Sequence, residues 1–288
     1  MKNRKLCLGM LVLTLVFGMT VIGCGGEVIP EQDNTPSPQP GDDYDNPIDR
    51  VENIALGTMT SSDSGWRQLL NSISSTGKYV NLDLSACTMN GTSFNPDPSV
   101  GAYGGSKKYI VSIILPTVAT SIEAGTSFTY PAFFGFNLKS ISGANIITIG
   151  DNAFVNIILK NASFPQVTTI GKNAFVVTNL VTLNIPKVTT IGESAFRISS
   201  NALTITMGST APSTLSPDIF LYTTTQVKVK VPSGATGYTP LNGTSITISG
   251  TNNTTNWANG FRGGGWNGST LTDASKINQN ITLTIEQQ

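Results

Sequence analysis

The sequence predicts an α/β solenoid, mostly β, and three observations predict it. The first is a phrase repeated at a fixed interval. Residues 138–158, 159–179 and 180–200 read LKSISGANIITIGDNAFVNII, LKNASFPQVTTIGKNAFVVTN and LVTLNIPKVTTIGESAFRISS. The second is what fills the columns. Leu138, Leu159 and Leu180 align, then Ile149, Ile170 and Ile191, then Gly150, Gly171 and Gly192, then Ala153-Phe154, Ala174-Phe175 and Ala195-Phe196. A period in the twenties led by Leu marks a stack of short coils. The third is composition. Only 12 % of the 288 residues are charged, while Ser, Thr, Asn and Gly abound, as suits β-rich extracellular structure. Such a chain is expected to bind or to build rather than to catalyse.

Residues 1–23 read as a removable secretion signal. Lys2, Arg4 and Lys5 precede an apolar run from Leu6 to Gly23 that is short for a stable span. The run ends in Val21-Ile22-Gly23-Cys24, which resembles a bacterial lipobox. The resemblance implies cleavage before Cys24 and attachment of lipid to its sulfur. Acyl chains at about 0.8 kcal/mol per buried methylene would hold the protein on a membrane. Gly25 after the acylated Cys is no retention aspartate, which favours the outer membrane.

Losing Lys2, Arg4 and Lys5 leaves 14 of the 17 basic residues against 17 acidic ones, a net of −3. No basic surface remains for nucleic acid. With Cys24 acylated, Cys87 is the only free thiol, so no internal disulfide is expected. The chain has no histidine, which removes the commonest neutral-pH base and zinc ligand. No cofactor is expected.

Residues 24–50 form a linker. Pro30, Pro36, Pro38, Pro40 and Pro47 stand among Gln, Asp and Asn with little to bury, so the segment reads as a solvated stalk. Residues 51–109 form an N-terminal cap with one helix. Trp66, Leu69, Leu70 and Ile73 have helical spacing, with Asp63 or Ser64 as N-cap and Gly77 as stop. Tyr79 to Leu84 then alternates as a strand. A cap of this kind hides the first apolar face of a stack.

The repeats occupy residues 110–232. Ile110, Ile113, Leu115, Pro116 and Val118 match Leu180, Leu183, Ile185, Pro186 and Val188 at an offset of 70. Register is lost after Ser121, and Gly125 to Asn137 reads as an enlarged loop. Leu203, Ile205 and Met207 give a further strand, Phe220 stands in for the motif Phe, and Val227, Val229 and Val231 alternate. About five turns are expected. Residues 233–288 form a β-rich C-terminal cap that ends in the alternating strand Asn280 to Ile285.

Within a unit, positions 1, 4 and 6 are apolar and point inward from a short strand. Pro165 and Pro186 follow their strands, where an amide donor is expendable. Val-Thr-Thr-Ile turns the chain to a second side, where Gly171 and its equivalents are expected to supply a conformation that only glycine accepts. Phe154, Phe175 and Phe196 should stack as an internal ladder.

The phrase V-T-T-I-G-x-x-A-F, with Leu and Pro at these offsets, resembles the BspA-type leucine-rich repeats of bacterial surface proteins. The resemblance is tight over residues 138–200 and loose over 110–232. It implies display on the bacterial cell surface and non-catalytic adhesion to a protein or host surface. Two features depart from the family pattern. The units are shorter than usual, and the Cys or Asn that often follows Ala-Phe is missing.

Outward positions 3 and 5 of the units are Ser140, Ser142, Asn161, Ser163, Thr182 and Asn184. They form a column of small polar groups on the expected concave face, suited to an extended peptide or a glycan. Four or five strands would make that face about 20–25 Å long. The second candidate is the aromatic and glycine-rich string from Asn256 to Trp266. Its Trp257, Phe261, Arg262 and Trp266 would form a glycan platform, or else close the C-terminal cap. Asp151, Lys172 and Glu193 share one column, and no nucleophile stands beside a base. Catalytic residues and metal ligands are not expected.

Overall fold

The computed structural model describes residues 49–50, 55–59, 61, 64–96, 107–197, 202–215, 219, 227–236, 238, 245–248, 267–268 and 281–288. In chain order the elements are β1 (Asp49–Arg50), α1 (Gly65–Thr76), β2 (Val80–Asp83), β3 (Ser93–Phe94), β4 (Ile110–Ile114), β5 (Ser121–Ile122), β6 (Ser140–Ser142), β7 (Thr148–Ile149) and β8 (Asn161–Ser163). Then come β9 (Thr169–Ile170), β10 (Thr182–Asn184), β11 (Thr190–Ile191), β12 (Leu203–Thr206), β13 (Thr214–Leu215), β14 (Val227–Val231), β15 (Ser245–Ile248), β16 (Asn267–Gly268) and β17 (Ile281–Gln287).

The strands sort into two sheets. The larger has ten strands in the order β1-β2-β4-β6-β8-β10-β12-β14-β17-β15, and the smaller has seven in the order β16-β13-β11-β9-β7-β5-β3. Six successive coils, from β2–β3 to β12–β13, each give one strand to each sheet. Register is kept from copy to copy. Ile141, Ala162, Leu183 and Ile205 are direct neighbours in the larger sheet. Ile122, Ile149, Ile170 and Ile191 are neighbours in the smaller one. All eight are buried. The third side of each coil is a turn, yet it carries its own ladder. The amides of Phe133, Phe154 and Phe175 donate to the carbonyls of Ala153, Ala174 and Ala195 at 3.1, 2.8 and 2.8 Å.

Inside the coils the phenylalanines stack. Ring centroids of Phe154 and Phe175 lie 5.0 Å apart, and those of Phe175 and Phe196 lie 5.7 Å apart. The stack continues past the expected three rings. Phe133 lies 4.7 Å from Phe154, Phe94 lies 6.4 Å from Phe133, and Trp66 meets Phe94 edge-on at 5.5 Å. Trp66 arrives there from α1, whose face of Trp66, Leu69, Leu70 and Ile73 is buried. Ser64 caps the helix by accepting from the Arg67 amide at 3.3 Å, and Gly77 ends it at φ 62°. Asp63, the other expected cap, lies outside the described residues, as does Phe220. Ile219 takes the alanine slot beside Phe196 by accepting its amide at 2.7 Å.

Four expectations change. The offset of 70 holds through Pro116 and fails at Val118. One extra residue sits in that turn, so Ala119 takes the buried slot of Val188 while Val118 is exposed. Register is not lost after Ser121. Ser121 and Ile122 pair with Thr148 and Ile149, and Ala132-Phe133 occupies the Ala-Phe column. The enlargement reduces to six residues, 126–131, between Gly125 and Ala132. The repeat glycines are not required for their conformation either, because Gly150, Gly171 and Gly192 are absent from the left-handed residues. They are required for contact. A Cβ on Gly171 would lie 2.6 Å from the Asp151 nitrogen of the previous coil, and one on Gly192 would lie 2.6 Å from the Gly171 carbonyl carbon. The left-handed positions are Asn152, Asn173 and Ser194, and further on Asn156 and Val177. Finally, the larger sheet exceeds five strands. Both flanking regions add to it, and its nine parallel strands span about 38 Å.

Candidate binding faces

The larger sheet presents the predicted column. Ser140, Asn161 and Thr182 are register partners, and so are Ser142, Ser163 and Asn184. Asn161 and Thr182 are exposed and the other four are half-buried. They bond along the stack. Thr182 Oγ1 donates to Asn161 Oδ1 at 2.7 Å, and Asn184 Nδ2 donates to Ser163 Oγ at 3.1 Å. Three coils earlier in the sheet, Ser112 Oγ donates to Asn81 Oδ1 at 2.7 Å. The column thus reaches from β2 through β12, where Thr204 pairs with Thr182.

This face has a distinctive charge pattern. Outward positions of β4, β6, β8, β10 and β12 carry no ionisable side chain; apart from Ile114 they are Ser, Thr or Asn. Within the strands charge enters only at the flanks, and Lys139 and Lys160 stand directly before β6 and β8. Asp83 stands on β2, and Lys228 and Lys230 stand on β14, where Lys228 pairs with Glu286 at 2.8 Å. That pair is half-exposed and worth about 0.2–1 kcal/mol. The strand positions in the middle of the face therefore offer hydrogen-bonding groups and no charge.

The smaller sheet also faces solvent, and sequence reasoning did not single it out. Ser121, Thr148, Thr169 and Thr190 form one register file of half-buried hydroxyls. The file beside it spends its hydroxyls on the stack. Thr189 Oγ1 donates to the Thr168 carbonyl at 3.1 Å. The visible signal was the Thr-Thr pair in the second and third units, Thr168-Thr169 and Thr189-Thr190.

The six-residue insertion forms a braced finger next to this sheet. Its base is pinched, since a Cβ on Gly125 would lie 2.6 Å from Pro131 Cα. The Tyr130 amide donates to Ser127 oxygens at 3.2 Å, and the Ser127 amide donates to the Tyr130 carbonyl at 3.4 Å. The Tyr130 ring leans edge-on against Phe134 at 5.6 Å. Phe128 stands exposed at the tip.

The column of Asp151, Lys172 and Glu193 is occupied by bonds between coils. Lys172 Nζ pairs with Glu193 at 2.9 Å, and the Lys172 amide donates to Asp151 Oδ1 at 2.7 Å. Among the described residues no group of three His, Cys, Asp or Glu is placed to hold a metal, and no helix is long and apolar enough to cross a membrane. Cys87 is buried and in no disulfide. Trp257, Phe261, Arg262 and Trp266, the alternative glycan platform, lie outside the described residues, as does Cys24.

Comparison with known families agrees with the geometry. The model of the BspA type leucine rich repeat region matches residues 126–237 in six copies. No curated protein and no solved structure matches the chain significantly.

Proposed function

Because this chain carries a BspA-type leucine-rich-repeat array, a repeat class commonly used to bind proteins, we propose that it is a lipid-anchored, non-catalytic adhesin of the bacterial surface. Cys24 carries the lipid, residues 25–48 are the stalk, which ends where Asp49–Arg50 join the larger sheet as β1, and the larger sheet meets a protein of the host surface. One observation carries this reading. The outward face of β4 to β12 is a continuous, uncharged array of hydroxyls and amides held in register. An extended peptide laid on it would meet hydrogen-bonding groups at every coil, about 4.8 Å apart. With its flanking strands included, the sheet spans about 38 Å, long enough for an interface of about 800 Å² per partner.

The test has two stages. Protease shaving of intact cells should release fragments of this chain; a chain that survives shaving intact is not displayed, and the adhesin reading fails. In cells that display it, Asn161→Arg with Thr182→Arg should lower adherence to epithelial monolayers at least tenfold, with an unchanged circular dichroism spectrum. Unchanged adherence would remove the larger sheet from the binding site.

A further inference from the structure

Four neighbouring strands of the larger sheet each begin beside a lysine. Lys78 and Lys108 stand two residues before β2 and β4, and Lys139 and Lys160 stand directly before β6 and β8. The strands lie in the order β2-β4-β6-β8. The four cations therefore share one rim of the face, about 14 Å long at about 4.8 Å per strand. Lys78, Lys108 and Lys160 are exposed, and Lys139 is half-buried. Two half-buried tyrosines sit among them. The rings of Tyr79 and Tyr109 meet edge-on at 5.7 Å, and Lys108 Nζ lies 5.0 Å from the Tyr109 centroid. Among the described residues no acid stands on this rim. Asp49 pairs with Leu82 and Asp83 follows it, at the far end of β2. Glu286 is near the end of β17, and Glu123, Asp151 and Glu193 follow strands of the smaller sheet.

Charge is handled differently elsewhere in the array. Lys172 lies between Asp151 and Glu193 in its column and pairs with Glu193. Lys187 Nζ reaches Gln166 Oε1 at 2.5 Å, and Lys228 pairs with Glu286. On the rim, by contrast, like follows like. The Lys160 amide donates to the Lys139 carbonyl at 2.8 Å, so the two residues are direct neighbours. Lys160 Nζ meets no carboxylate among the described residues. Neighbouring like charges on a sheet are destabilising, and an anion laid along them turns that repulsion into attraction. We infer that this rim binds an acidic polysaccharide, an extended chain of sugar rings that bear sulfate or carboxylate groups. Lysines at successive strands meet its anionic groups. The tyrosines meet its rings, and Ser140 and Asn161, the first residues of β6 and β8, meet its hydroxyls. A peptide added as a strand does not fit here. Such binding needs an open sheet edge, and each of these four strands has a neighbour on both sides. The rim lies beside the protein contact proposed for the strand middles, and its chemistry does not rest on that contact.

Heparin, an extended polysaccharide of sulfated and carboxylated sugars, is the probe. The full chain in detergent micelles should bind immobilised heparin at physiological salt and release it as salt rises. Lys108→Gln, Lys139→Gln and Lys160→Gln together should weaken that binding about tenfold, with an unchanged circular dichroism spectrum. Lys172→Gln, Lys187→Gln and Lys228→Gln together remove the same charge away from the rim and should change it less than about twofold. An equal loss from this second variant would mean attraction to net charge alone and would overturn the site. Polyglutamate bound as tightly as heparin would put an acidic peptide in place of the polysaccharide and overturn the inference. A full chain that leaves heparin unbound would overturn it as well.

Discussion

The coil of residues 110–137 and the three coils that follow it solve one packing problem at different lengths. The regular coils take 21 residues. The earlier one takes 28 and still places Ile113, Ile122 and Phe133 over Ile141, Ile149 and Phe154. Its seven extra residues are spent at corners, as one turn residue and an enlarged loop that includes the finger. What the stack conserves is therefore the order of inward contacts and the bonds between coils, while corner length is free. Physically, a corner faces water and can lengthen at small entropic cost. An inward side chain has a coil above and a coil below, and cannot move without leaving a void.

Four measurements break or sharpen this contrast. The largest effect belongs to the ring stack. Phe154→Ala should lose about 3–5 kcal/mol, and Phe133→Ala in the long coil should lose a similar amount, read from denaturant midpoints. A cost below about 1 kcal/mol for Phe133→Ala would mean that the long coil is packed less tightly than the others. Next is Gly171→Ala. Its Cβ would drive into Asp151 backbone, at a cost of about 1–3 kcal/mol; a neutral result would remove close approach as the reason for the repeat glycine. Third, Val177 is a β-branched residue at φ 55° where the preceding coil has Asn156 at φ 54°. Val177→Asn should stabilise by about 1 kcal/mol, since the left-handed region costs a branched side chain that much. A lower melting temperature would show that the methyl packing outweighs the strain. The smallest change should follow deletion of residues 126–130, whose ends already touch. Stability should stay within about 1 kcal/mol, and a larger loss would make the finger part of the fold.

The inward columns were legible in the sequence because they are the contacts that cannot vary. Leu180, Ile191 and Phe196 announce three sides of a coil once their copies are aligned, and the N-cap Ser64 and stop Gly77 announce α1. The polar column from Ser140 to Asn184 followed from strand alternation alone. What stayed hidden lies at corners and at close approaches. The slip at Val118 is invisible to a fixed offset, because Val and Ala both suit a buried slot. The repeat glycine reads as a turn residue in a single chain; only the coil beneath it reveals that the space is already filled. The complete coil around Ala132-Phe133 was masked by the finger, since six residues more than usual separate Ile122 from Ala132. The extension of the sheet into β2 was missed because Val80 to Asp83 carries none of the repeat phrase, although its alternation is that of the other strands.

The stack of six rings from Trp66 to Phe196 has a mechanical consequence. Along the stack each ring meets the one before and the one after, so load applied along it is carried in series. A pull between a tethered end and a gripped end would strip the array coil by coil instead of tearing it at once. Each regular coil would pay out roughly 70–75 Å of chain, and the coil of residues 110–137 roughly 92–100 Å. Under shear flow such a molecule would lengthen in discrete steps and keep its remaining turns.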